Sequence, residues 1–317
     1  MGNFLKLLYN EQIKLFVRKS TWIMYGILIL LTIGIAALTL IFDKPTTSYD
    51  AENWKTELQA ENAALEEQNK DGEFIESFNN SIIAKNEYYL DNDIKPEGYG
   101  ALQFTMDNAP LLSLISLFTI IVAAGIVASE FRMGTVKLLL IRPISRSKIL
   151  LSKYVSVIFF AFMTLIFLLV LSYIIGAIFF GFDGINPYLV MEKETGLDYV
   201  SILGETISSY GYGLVNLVMM ATFAFMISSV FRNSSLAIGI AIFLMFAGNS
   251  IVGFFSNYSW VKYILFANTN LELYSNGNSH WIDGMSLGFS ITILLIYYVI
   301  FLVLSWVFFT KRDVAGH

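Results

Sequence analysis

Apolar residues along this chain fall into long uncharged blocks separated by short charged stretches. They show neither the alternation of a half-buried strand nor the stripe of a surface helix. About 20 helical residues cross the roughly 30 Å of hydrocarbon in a bilayer. Six blocks reach that length: 22–42, 110–129, 154–182, 210–231, 236–255 and 285–310, and none contains Asp, Glu, Lys, Arg or His. The third is long enough to tilt or protrude. The pattern predicts an all-α polytopic membrane protein with six transmembrane helices.

The polar segments refine this picture. Residues 1–21 place Lys6, Asn10, Lys14 and Arg18 on one helical face and gather Phe4, Leu5, Leu8, Leu15 and Phe16 on the other. An amphipathic helix lying in the inner interface has this pattern, and so does an ordinary basic flank that sets topology. The run after it is full length and no clear cleavage site precedes Asp43, so it reads as a first span rather than a signal peptide. Residues 43–109 are too long and too polar for a connector. Ala51, Leu58 and Leu65 recur every seven residues and Phe74, Phe78 and Ile82 every four, with the turn signal Asn69-Lys70-Asp71-Gly72 between them. This predicts an extracellular helical hairpin, followed by a loop through Pro96, Gly98 and Gly100. Residues 183–209 read as a short, acidic, irregular loop. In 256–284, Tyr258, Trp260, Tyr263, Ile264, Leu265 and Phe266 suggest a re-entrant or interface-lying helix, or an aromatic belt at the outer surface.

Composition agrees: 56% of the 317 residues are apolar, 14% are charged and the mean hydropathy is +0.63. A soluble domain carries about 25% charged residues. The net charge of −5 hides an asymmetry. With the N-terminus inside, segments 1–21, 130–153, 232–235 and 311–317 hold 13 Lys or Arg and 3 acids, and the outer segments hold 7 and 22. The positive-inside rule therefore puts both termini, including the tail 311–317, in the cytoplasm. The hairpin region alone carries 15 acids against 5 lysines; such a surface either attracts cations or is simply solvated.

Candidate chemistry is sparse. There is no cysteine, and the two histidines, His280 and His317, cannot supply a metal cluster alone. The acidic balance gives no nucleic-acid footprint. Secondary transporters and proton pumps place ionisable groups at membrane depth, and the six blocks have none. A P-loop needs a Gly-Lys pair, and the sequence has none. The chain therefore reads as a non-catalytic membrane subunit, without a metal or cofactor of its own. Asn216 and Asn249 lie within spans, where such amides either join helices by hydrogen bonds or line a pathway.

The densest feature is the cytoplasmic segment 130–148. Gly134 can break the helix leaving the membrane, Thr135 can cap a new one, and Pro143 ends it after about eight residues, roughly 12 Å long. Ser145 can then cap the third span. The short helix would carry Leu138, Leu139 and Ile141 beside Lys137 and Arg142, an apolar ridge edged with cations, as suits docking in a partner's groove. A basic interfacial turn that only anchors topology is the alternative.

The run Glu130-Phe131-Arg132, Gly134-Thr135, Leu139-Leu140, Pro143-Ile144-Ser145-Arg146 resembles the signature region of ABC-2 type permeases, the membrane subunits of one group of ATP-binding-cassette exporters with the type V exporter fold. The resemblance extends to the layout of the whole chain and concentrates in about 17 residues. It implies an N-terminal elbow helix at 1–21 and a coupling helix at Thr135 to Arg142, seated on a separate ATPase subunit and contacted or oriented by Glu130, Arg132, Arg142 and Arg146. It implies ATP and Mg bound by two copies of that partner, with a second permease subunit, identical or related, completing a multi-pass assembly in a bacterial cell membrane. The enlarged outer hairpin departs from the minimal family pattern. Charge-free spans suit a hydrophobic or amphipathic passenger such as an antimicrobial peptide or drug; sodium, lipid or glycan export, or a sensor or scaffold role without transport, are the alternatives.

Overall fold

The computed structural model describes residues 3–69, 73–132, 144–182, 184–193, 196–231, 233–274 and 282–311. The chain begins with α1 (Asn3–Phe16), then α2 (Lys19–Leu38), which runs on through a π turn at Thr39–Asp43. An antiparallel pair follows, α3 (Trp54–Gln68) and α4 (Glu73–Asp91), then the short α5 (Ala101–Asp107). Next come α6 (Leu112–Arg132) and α7 (Arg146–Phe180). Two strands, β1 (Tyr188–Lys193) and β2 (Gly196–Ser201), precede α8 (Ile202–Phe231), α9 (Ser234–Phe254) and α10 (Leu287–Lys311). Helices α2, α6, α7, α8, α9 and α10 are long and apolar enough to cross a membrane, and the protein is membrane-embedded and built on them.

The core is centred on α6 and α8, which bury most of their surface, whereas α2, α9 and α10 leave most of theirs exposed. Ala123 and Ala124 of α6 and Ala221 and Ala224 of α8 are fully buried in it. Such small side chains let two backbones approach, and dispersion and hydrogen bonds rather than water exclusion then hold the helices together. Ser228 supplies the polar part: its hydroxyl donates to the Ala124 carbonyl at 2.6 Å and accepts from the Ala128 N–H at 3.1 Å. At 35 residues, α7 measures about 52 Å and outruns the hydrocarbon, and its charges, Arg146, Lys148 and Lys153, all fall in its first turns.

Outside the bundle, α3, α4 and the β-hairpin share a small core of Trp54, Leu58, Tyr89 and Val190. Here the structure departs from the apolar stripe predicted for α4. Phe78 is exposed, while Asn79 and Asn86 are buried and zip the pair together: Asn79 donates to the Leu65 carbonyl and Asn86 to the Asn62 amide oxygen. These polar cross-links join the pair alongside the apolar contacts of Trp54, Leu58 and Tyr89. The described part of 183–209 is not irregular either: β1 and β2 pair as a hairpin, with Val190 opposite Tyr199, and α8 begins at Ile202. The aromatic segment is not one helix but three 3₁₀ turns, Val261–Tyr263, Leu265–Asn268 and Leu271–Tyr274. Ile264 takes an extended conformation between the first two, and the buried Asn268 amide holds them by donating to the Lys262 and Ile264 carbonyls, both at 2.8 Å. Val261, Leu265 and Leu271 point in while Tyr258, Trp260 and Tyr263 stay exposed.

Helix α1 also differs from its predicted faces. Leu7, Glu11 and Leu15 are buried, while Leu5, Tyr9 and Ile13 are exposed. The helix thus has an inward face that includes a charge and an outward apolar face, the second being what an interfacial helix presents to lipid.

Candidate functional site

The buried Glu11 finds its partners where the connector between α6 and α7 is rooted. Lys153 donates to Glu11 at 2.8 Å and to Glu130 at 3.0 Å; Lys14 reaches the same two carboxylates, each at 3.0 Å. The four side chains close a ring of alternating charge that joins α1, α6 and α7. Lys153 is 1% exposed, Glu11 7% and Glu130 9%, while Lys14, at 46%, connects the ring to solvent. For Lys14, burial pulls the ammonium pKa down, but the carboxylates of Glu11 and Glu130 outweigh it and hold the value above the ordinary one. The ring is neutral overall, which is how four charges can persist in a largely dry site.

The other root is tied to α10. The Arg146 guanidinium donates to the Thr310 carbonyl at 3.1 Å and the Trp306 indole to the Ser147 hydroxyl at 2.9 Å. Both ends of the segment 133–143 are therefore fixed to neighbouring helices: the α6 end to α1 and α7, the α7 end to α10.

This redistributes the residues predicted for docking. Glu130 is a buried ring member, not a surface contact, because α6 continues past the apolar block and carries it inward. Arg132 is the last residue of α6. Ser145 occupies the position before α7 with extended backbone, yet its side chain makes no capping bond; its carbonyl accepts the Lys148 and Ile149 N–H groups instead. Gly134, Thr135, Lys137, Leu138, Leu139, Ile141, Arg142 and Pro143 lie outside the described residues. The predicted third span, 154–182, began one residue after Lys153, and the second ended one residue before Glu130. The rule that charges mark span ends thus removed from both helices the groups that link them.

Asn216 and Asn249 do come together, but not by bonding to each other. Both line a cavity of about 600 Å³ on the side of the α3–α4 pair, between α5, α6, α8, α9 and residues 269–272, which lead into the last 3₁₀ turn. A pocket of about 260 Å³ shares Ser113, Ser116, Asn216, Asn249 and Thr269 with it and reaches Met220, Met245 and Phe266. Three acids stand around the wider part: Asp107, Glu205 and Glu272. Glu205 pairs with Lys193 at 2.9 Å, and Glu272 accepts from Ser209 at 2.7 Å. Desolvation by the surrounding protein raises the Asp107 carboxyl pKa; the Tyr99 hydroxyl, donating to it at 2.8 Å, pulls it down, and Asp43 pushes it up again. None of these acids stood out in the sequence, since nothing in the spacing of a single acid shows that it borders a cavity. Among the described residues there is no cluster of three or more metal-ligating side chains.

Comparison with known proteins gives the chain its relatives. The family described as "Protein of unknown function (DUF2705)" matches residues 74–315. The uncharacterized protein YhcI of Bacillus subtilis is 42% identical over 317 residues, covering 98% of this chain and 100% of its own length. The uncharacterized membrane protein YdbK of the same organism is 34% identical over 203 residues, 63% of this chain and 78% of its own.

Proposed function

The chain belongs to the DUF2705 family, and from that premise we propose that it is the non-catalytic permease subunit of an ATP-driven exporter. The observation that carries the proposal is the pair of clamped roots on either side of 133–143. A partner that moved this connector would pull α1, α6 and α7 through the charge ring and α10 through Arg146, without needing an ion-coupling group at membrane depth. The resemblance of 130–146 to ABC-2 permeases supplies the class of partner, a cytoplasmic ATPase that binds ATP and Mg. It also supplies the assembly, two such ATPases beneath a pair of permeases in a bacterial cell membrane with the termini on the ATPase side. In this reading α1 is the elbow helix, its exposed Leu5, Tyr9 and Ile13 in the interface, and the passenger is hydrophobic or amphipathic.

The connector itself tests the proposal. Replacing Leu138 and Leu139 together by Asp removes the apolar ridge and leaves the roots untouched. The variant should insert and purify as wild type but lose the ATPase on co-purification from cells that express both. An adjacent gene encoding a chain with a Walker A motif is where that ATPase should be found. Co-purification undiminished by the double substitution would overturn the docking role.

A further inference from the structure

We propose that the cavity bounded by Asp107, Glu272, Ser116, Asn216 and Asn249 binds an amphipathic organic cation, entering from the side of the α3–α4 pair. The proposal deepens the exporter reading by naming a substrate class, and rests on that reading for its transport consequence alone.

Ser116 is the first reason. Several buried hydroxyls on these helices donate to a carbonyl one turn back: Thr105 to Ala101, Thr119 to Ile115, Ser156 to Ser152 and Thr164 to Phe160, each at 2.8 Å. Ser116 is 3% exposed, lines both pockets and makes no such bond. Half-buried Asn216 and exposed Asn249 also line the cavity and make no hydrogen bond among the described residues. A buried hydroxyl left without a partner, as at Ser116, is costly, and such a group in a native site ordinarily meets a ligand or water. These residues lie well inside the helix ends: Ser116 is four residues beyond the start of α6 and Asn249 five before the end of α9.

Charge fixes the class. The described lining has three carboxylates and no Lys or Arg. Glu205 is paired with Lys193, whereas Asp107 and Glu272 accept from the hydroxyls of Tyr99 and Ser209 and have no basic side chain beside them in the described lining. Two carboxyl groups without a basic partner thus stand above neutral amides and hydroxyls, and beyond those lie Met220, Met245, Phe246 and Phe266. The volume falls in the range of small-molecule sites, about 300–1,000 Å³. A ligand complementary to this sequence carries a cation at one end, hydrogen-bonding groups behind it and an apolar body.

Ethidium is a suitable probe, with fluorescein as an anionic control and Nile red as a neutral one. Binding is read by fluorescence anisotropy on the full-length permease alone, in phosphatidylcholine nanodiscs, against empty discs. Wild type should bind ethidium at least about tenfold more tightly than fluorescein. Asp107→Asn combined with Glu272→Gln should weaken ethidium by about tenfold or more and leave Nile red within about twofold; Asn216→Leu should weaken ethidium with both acids still present. Equal affinity of the wild type for cation and anion, a comparison that requires no variant, would overturn the proposal, as would ethidium binding unchanged in the double variant. Because the ATPase is absent, the outcomes separate. Intact docking without ethidium binding removes the cation site and keeps the exporter, and binding without docking does the reverse.

Discussion

Lys153→Met should destabilise the protein by about 3–5 kcal/mol, because it leaves Glu11 and Glu130 facing each other at the base of α6 with Lys14 as their sole remaining ring cation. A buried ion network is weak evidence of net stabilisation, since desolvation takes back most of what attraction gives; breaking one side of it is another matter, because two buried carboxylates then share one half-exposed lysine of the ring. The design that separates the two is Lys153→Met with Glu130→Gln. That pair removes one charge of each sign, leaves Glu11 with Lys14, and should recover most of the loss. Lys14→Met, by contrast, removes a cation that is half exposed and should cost about 1 kcal/mol or less. Thermal melting of the purified protein in nanodiscs, followed by tryptophan fluorescence, reads all three. If Lys153→Met melted with wild type, or the double variant melted below the single, the ring would not be the clamp described. The pH dependence has a definite sign. Lys14 has a raised folded pKa, so its contribution is complete below its ordinary value of 10.5 and is lost as pH climbs through the folded one; on the alkaline side its hold on the ring should therefore fail only in strong alkali.

Why the sequence revealed the six helices and not this ring follows from what each depends on. A span is local: about 20 uncharged residues in a row are visible without any partner. The ring joins positions 11, 14, 130 and 153, and nothing in the spacing of one charge indicates a partner more than a hundred residues away. The habit of ending a span at the first charge then assigned Glu130 and Lys153 to a loop, although both are buried in helices. The outer region failed for a related reason: Asn79 and Asn86 read as solvent-facing, and their burial depends on Leu65, Asn62 and Glu61 of the opposite helix. The β-hairpin had a faint signal in Tyr188, Leu189 and Val190 opposite Tyr199 and Val200, masked by the acids around it. Asn216 and Asn249 were legible as polar residues in apolar helices. That they face one cavity rather than each other is set by the turns that close its wall.

Those turns are held by a contact with no slack, and Gly248→Ala should break it. A Cβ at Gly248 would stand 2.3 Å from Cγ of Phe266, with the ring's two Cδ atoms at 2.5 and 2.8 Å. The ring cannot swing clear at little cost: it packs edge-on against Phe223 of α8, and its turn is pinned by the two bonds from the Asn268 amide. Overpacking of this kind costs about 1–3 kcal/mol. The strain should also pass along the chain, since Thr269, Leu271 and Glu272, just beyond that turn, form one wall of the cavity; ethidium binding should weaken together with the melting temperature. Gly239→Ala on the same helix is the control, because nothing lies within 4 Å of a Cβ there. An alanine in an open helical position should be neutral or stabilising by up to about 1 kcal/mol. Phe266→Ala alone opens a hole, but combined with Gly248→Ala it removes the ring atoms the new methyl would strike. The double variant should therefore be less destabilised than the sum of the singles by about 1–3 kcal/mol, a coupling that residues without direct contact do not show. If Gly248→Ala proved as benign as Gly239→Ala, the turns would be free to shift, and the cavity wall with them; a clash that the Phe266 substitution relieves means the wall is fixed by the close approach of α9 to Phe266.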